Sequence, residues 1–262
     1  MGPFVFKSVL QAPKTPAEAI KSRRQPCYGF SVIINLSTNT ELIRSLETTR
    51  DHIIAIIDPD RASKPHPVRS ESYIKQKAFH AAIFGIPPLT DKEEFLESRK
   101  TDGRLFSEIS ARINESLPAH LREDKPFLKP MQFELRPDGS LGARFQYETR
   151  SAGAGEGIPP LRSLKTRWDP ENKLASWDTT NPLRDSTVFV VLCVIDTALI
   201  PADKLTQIYC LLESATAELL KLGQHAITQF QLIEAFDKRT LSDRHVLTSS
   251  LIDSSSTSPH LS

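Results

Sequence analysis

Cysteine is scarce in this sequence, with three residues, Cys27, Cys193 and Cys210, among 262. An odd number with no C-x-x-C spacing, two of them inside apolar runs, excludes a disulfide framework and a cysteine zinc site. They read instead as small core residues of a reducing compartment. Met1 to Lys14 holds only a short apolar cluster broken by Pro and Lys, without the continuous apolar region of a secretory leader. Gly2 is followed by Pro3, and Phe6 stands where a myristoylation signal needs Ser or Thr. The longest apolar run, Val188 to Ile195, is too short to span a bilayer as a helix. The expected location is therefore the cytoplasm.

Charge of one sign is missing as well. Thirty-three Lys and Arg face 32 Asp and Glu, for a net charge of +1, so nothing draws the chain unspecifically to phosphate backbones or anionic lipid. Neither a nucleic-acid nor a membrane partner is expected, and composition names no protein partner. The common catalytic signatures are also absent: there is no G-x-S-x-G, no P-loop and no H-E-x-x-H. The glycine cluster Gly153 to Gly157 runs into Ile158-Pro159-Pro160, which is read as unable to open the helix that a phosphate cradle requires. Asp58-Pro-Asp60 offers two carboxylates, too few for a metal cage, and reads as a turn. No metal and no cofactor is expected.

What remains is an ordinary globular composition, 39% hydrophobic and 25% charged, at the upper length for one core. Residues 1–25 are rich in Lys, Arg and Pro and read as a flexible arm, and residues 251–262 as a disordered, serine-rich tail. Residues 26–250 form the expected folded body. Tyr28 to Leu36 (YGFSVIINL) is β-branched and aromatic and predicts a buried strand. Thr40 to His52 follows with Leu42, Ile43 and Leu46 at helical spacing behind capping residues Ser37 and Asn39. Ala78 to Ile86 predicts a second strand, and Leu105, Ile109, Ile113 and Leu117 one face of a helix ended by Pro118.

Met131, Phe133 and Leu135 alternate with polar residues. After Pro137-Asp138-Gly139-Ser140, a period of two resumes at Leu141, Ala143, Phe145 and Tyr147, which predicts a hairpin. Residues 148–185 lack periodicity and read as a long surface excursion, a candidate lid carrying Trp168 and Trp177. Thr187 to Ile195 predicts a buried strand, Ala202 to Leu222 a long helix stopped by Gly223, and Ile227 to Ala235 a last strand. Two unequal strand-helix halves imply an α+β fold.

This order, the opening strand Tyr28 to Leu36, the hairpin and the segment Phe79-His80-Ala81-Ala82-Ile83-Phe84 resemble the 2H phosphoesterase superfamily, whose first signature reads roughly F-H-x-T-x-F. The resemblance implies a two-lobed bilobal sandwich of antiparallel sheets with flanking helices. In that family an H-x-[ST] motif on a strand of each lobe faces a shared cleft. Residues i and i+2 of a strand share a face, so each motif sets an imidazole beside a hydroxyl. The histidines serve as base and acid while the hydroxyls hold phosphate oxygens.

Here the resemblance implies His80 as the catalytic candidate, with Ala82 in the place of the first hydroxyl. With Phe189 aligned on Phe79, Val190 and Leu192 take the places of the second histidine and hydroxyl. Tyr28, Ala82, Val190 and Leu192 are thus the expected cleft positions. His225-Ala-Ile-Thr228 and His245-Val-Leu-Thr248 are set aside, because i and i+3 on one strand point to opposite faces. His52, His66, His120 and His260 are expected to be solvated.

Three functional readings follow. The first is a degenerate member without phosphodiesterase activity that binds a small molecule, a nucleotide-like ligand or a protein partner in the cleft. The second is an active enzyme with His80 as its only acid or base. The third is an interaction module that docks through residues 148–185.

Overall fold

A computed structural model of the chain describes residues 14–25, 28–58, 79–85, 89–101, 103–150, 159–170, 186–235 and 245–251. Its strands are β1 (Gly29–Asn35), β2 (His80–Gly85), β3 (Phe127–Leu135), β4 (Ser140–Glu148), β5 (Thr187–Val194), β6 (His225–Ala226), β7 (Gln229–Ala235) and β8 (His245–Leu251). Its α-helices are α1 (Pro16–Arg24), α2 (Thr40–Ile57), α3 (Lys92–Thr101), α4 (Gly103–Ala119), α5 (Pro160–Trp168) and α6 (Ala202–Lys221). The strands form one antiparallel sheet in the order β6-β3-β4-β5-β2-β1-β7-β8.

The expected α+β architecture and its two antiparallel halves are present. The halves, β6-β3-β4-β5 and β2-β1-β7-β8, are not separate layers but meet edge to edge in one sheet. Their seam is narrow. β2 and β5 share a single registered pair, Ala81 with Val190, whereas β4 and β5 share seven. His80 and Val190 therefore lie on directly paired strands rather than across a groove between separate sheets.

One face of the sheet is covered by α2, α4, α5 and α6. Leu42, Leu46 and Ile53 of α2, Ile109 and Ile113 of α4, and Ile208 and Leu212 of α6 join one apolar core with Val32, Ala81, Phe145, Val190 and Leu192. Helix α2 starts where Asn39 accepts the Leu42 N–H through Oδ1 (3.1 Å), and it turns a β-branched and leucine stripe to the sheet. The hairpin turns at Gly139, whose φ of +77° only glycine adopts without strain; its N–H reaches Arg136 O at 2.8 Å.

Four local expectations are corrected. Pro118 does not end α4 but lies inside it, and the chain continues into a π-helical turn, His120–Asp124. A proline lacks the N–H of one helical bond, and the wider π register takes over directly after it. Residues 148–185 are not an unstructured excursion throughout. Helix α5 opens at Pro160 behind Pro159, because the first helical position needs no N–H, and it buries Leu161, Leu164 and Trp168.

The arm over residues 1–25 contains helix α1, which begins with a capping box. Thr15 Oγ1 accepts the Glu18 N–H (3.2 Å) and Glu18 Oε2 accepts that of Thr15 (3.3 Å). Its Ala19 and Ile20 pack on Val194. Finally β8, which contains His245, extends the sheet beyond β7, which was expected to be the last strand. The glycine cluster, His66, Trp177 and residues 252–262 lie outside the described residues.

Candidate functional site

The sheet face opposite the four helices holds the polar residues. Register places them in two rows that run across the strands. In the first, Gln229 of β7 accepts a hydrogen bond from Asn35 Nδ2 (2.7 Å), Asn35 lies opposite His80, and Gly142 lies opposite Val191 and Glu134. In the second, Gln231 is opposite Ile33, Ile33 opposite Ala82, and Arg144 opposite both Phe189 and Gln132. The seam joins the rows: with Ala81 opposite Val190, the antiparallel register sets His80 beside Val191 and Ala82 beside Phe189.

Burial agrees with this arrangement at the seam, while Ile33 and Gln231, at the β1–β7 end of the second row, are buried. His80, Val191 and Phe189 are half-buried and Ala82 is exposed, while Ala81 and Val190 have no exposure. Two of the expected cleft positions are thereby corrected. Val190 and Leu192 have 0% exposure and belong to the apolar core on the helix side. Opposite the Leu141–Gly142 step of β4, β5 carries one extra residue, so that Leu192 and its neighbour Cys193 both join that core.

An antiparallel pair has a local two-fold axis at its registered residues. Applied at Ala81 and Val190, it relates His80 to Phe189 and Ala82 to Val191. Alignment on the phenylalanines was off by one residue, which on a strand is the difference between the two faces. Tyr28 is corrected as well. It bridges Leu89 at the far end of β1 from Asn35 and packs on Phe95 with ring centroids 6.2 Å apart.

East of the seam, on β3 and β4, lies a charged cluster that sequence reading missed. Glu134 accepts from Gln132 Nε2 (2.9 Å), from Arg136 Nε (2.8 Å) and from Arg144 Nε (3.1 Å) and Nη2. Burial raises the Glu134 carboxyl, but the hydrogen bonds from Arg144, Arg136 and Gln132 outweigh it and bring the pKa to about 2. The Arg136 guanidinium carbon sits 3.4 Å from the Phe189 ring centroid and that of Arg144 at 6.0 Å. Gly142 makes room for that ring, because a Cβ there would lie 2.7 Å from a Phe189 ring carbon and 2.1 Å from Val190 O. The available signal was the alternation of Gln132, Glu134 and Arg136 with apolar residues, which puts all three on the outer face.

The other histidines are not solvated as a group. His120 is buried: its Nδ1–H donates to Asp124 Oδ2 (2.7 Å) and its Nε2 accepts from the Tyr147 hydroxyl (2.6 Å). Burial lowers its pKa against the pull of Asp124 and raises that of Tyr147. This network lies within the core, out of reach of the open face.

His225 and Thr228 also depart from expectation. Strand β6 stops at Ala226, so the i, i+3 rule for a continuous strand does not apply. His225 Nδ1 accepts from Asn39 Nδ2 (2.8 Å) and Thr228 Oγ1 meets Thr38 Oγ1 (3.0 Å), both at the start of α2. Burial lowers the His225 pKa, opposed by Glu41. Trp168 is fully buried, donating from Nε1 to Ser116 Oγ (2.7 Å), and so presents no docking surface.

Among the described residues no cluster of three or more His, Cys, Asp or Glu could hold a metal ion, and no helix is long and apolar enough to cross a membrane. No family model and no curated protein matches the sequence. Solved structures do match. A conserved protein of unknown function from Agrobacterium tumefaciens has 12% identity and a TM-score of 0.46, over 81% of this chain and 82% of that one. Escherichia coli LigT in apo form has 10% identity and a TM-score of 0.41, over 86% and 96%. Kluyveromyces marxianus Usb1 with uridine monophosphate has 11% identity and a TM-score of 0.41, over 88% and 99%.

All three TM-scores lie below 0.5. What LigT or Usb1 binds is a property of those proteins. At the seam, β2 presents His80 and Ala82 to this face and β5 presents Phe189 and Val191.

Proposed function

We propose that the open face of the sheet binds a small phosphorylated, nucleotide-like ligand and does not cleave it. The observation that carries this reading is the composition of the seam. His80 is its only imidazole, and the three positions that would complete a pair of H-x-[ST] motifs hold Ala82, Phe189 and Val191. Phosphodiester cleavage by such a pair needs a base and an acid on opposite sides of phosphorus, with donors for the developing charge. Each absent acid or base typically removes on the order of a hundred- to ten-thousand-fold in rate.

Binding makes lesser demands. Ala82 is exposed at the seam, Asn35 and His80 are polar groups on one side, and the arginines stand on the other. Titration calorimetry with adenosine 3′-monophosphate and uridine monophosphate tests the reading. Saturable binding that weakens in His80→Ala and Asn35→Ala supports it. The absence of binding to the folded wild-type chain overturns it.

A further inference from the structure

We infer that Arg136 is the anion-reading residue of this face, presenting its two terminal nitrogens to an oxyanion of the ligand. The inference rests on the reading of the open face as a binding groove, and it names the group that would take over from the missing hydroxyls and second histidine.

Three features fix the side chain. Its Nε donates to Glu134 Oε1 at 2.8 Å, its guanidinium lies 3.4 Å from the Phe189 ring centroid, and that ring lies over Gly142, where no side chain fits. An arginine held by Nε and by one face of its plane has already lost most of its rotamer freedom, so a ligand need not order it. Its terminal nitrogens Nη1 and Nη2 have no hydrogen-bond partner among the described residues, and the side chain is 34% exposed.

The neighbouring arginine is not equivalent. Arg144 engages Glu134 through Nε and Nη2 and Thr187 through Nη1 (3.3 Å). Glu134 supplies one negative charge against two guanidiniums, which leaves the cluster with one positive charge, and the free donors belong to Arg136. A planar fork of N–H groups with excess positive charge suits a phosphate or carboxylate, which accepts two parallel bonds. The Arg136 guanidinium stacks on Phe189 of β5, the strand that pairs with β2, so an anion on Arg136 and a polar group at His80 fit one small phosphorylated molecule.

The test is calorimetric or NMR titration with phenyl phosphate, with benzoate as the carboxylate arm, at matched ionic strength. Wild type should bind phenyl phosphate saturably, and Arg136→Gln should weaken it by about ten- to hundred-fold, the usual effect of removing charge-assisted hydrogen bonds. Arg136→Lys keeps the charge without the fork and should fall between. Equal dependence of benzoate on Arg136 identifies the recognised group as any oxyanion, and binding of phenyl phosphate alone identifies phosphate.

Undiminished phenyl phosphate binding by Arg136→Gln, in a protein that unfolds at the wild-type temperature, overturns the inference. So does the absence of saturable binding to wild type. His80→Ala separates the two readings. Binding that is lost in His80→Ala and kept in Arg136→Gln retains the groove and refutes Arg136. Binding lost in Arg136→Gln and kept in His80→Ala retains Arg136 and refutes the His80-centred groove.

Discussion

Phe189 is the structural counterpart of His80: the local two-fold axis at Ala81 and Val190 exchanges the two positions across the β2–β5 seam. The ring on β5 lies on the same open face as the imidazole on β2, where it carries Arg136 instead of a proton. Val190, one residue further, faces the core.

The register can be checked by stability. Val190→His places an imidazole at a position with 0% exposure among apolar neighbours. It should cost about 2–4 kcal/mol, the loss of buried methyl groups plus an unpartnered polar group. Phe189→His, on the open face, should cost about 1 kcal/mol, mainly the cation–π contact. Urea unfolding of both variants decides the matter, and equal costs would contradict the assignment of faces.

Helix α1 makes the amino-terminal region part of the fold. Deleting residues 1–25 uncovers Val194, which is fully buried beside Ala19 and Ile20, and should lower stability by roughly 2 kcal/mol. Thr15→Ala with Glu18→Ala, which removes the capping box, should lower the hydrogen-exchange protection of α1 without changing that of β5. An unchanged melting temperature in the deletion variant would contradict the packing of α1.

Much of this fold was legible in the sequence because period carries burial. The run over Tyr28 to Leu36, the alternation on both sides of Pro137 to Ser140 and the leucine stripe of α6 each predict an element that the structure contains. What was not legible depends on pairing. Nothing in Phe189 to Leu192 says which residue faces β2, since an all-apolar strand has no alternation to read. Nothing in His120 announces Tyr147, 27 residues away. The helix α5 was missed because Pro159-Pro160 was read as a breaker when it is a start, and α1 because its Thr15-Pro-Ala-Glu18 box was not weighed.

Trp168 should behave as a core residue. Trp168→Ala removes a fully buried indole that packs edge-on against Phe84 at 5.5 Å, and should cost about 3–5 kcal/mol. Trp168→Phe should cost less, leaving chiefly the lost bond to Ser116. Denaturant titration of both reads the difference, and a neutral Trp168→Ala would return the residue to a surface role.

Acid should destabilise the protein through its buried histidines. His120 and His225 are both held below the ordinary value of 6.5, chiefly by burial. Between each folded value and 6.5 the unfolded chain binds more protons than the folded one, so stability rises with pH in that window and is lost as pH falls below 6.5. The melting temperature should drop between about pH 7.5 and about pH 5.5, and His120→Gln should drop less over the same interval. A melting temperature that rises toward acid would contradict the neutral state of both rings.

The central claim is that this face binds without cleaving, and phosphorus and proton NMR of adenosine 2′,3′-cyclic phosphate mixed with the wild-type chain tests it most directly. The account predicts a ligand-dependent shift of the His80 imidazole signals with the cyclic phosphate resonance persisting, and no faster loss than in buffer. Conversion to the monoester that stops in His80→Ala would contradict it and make the chain an enzyme with a single imidazole.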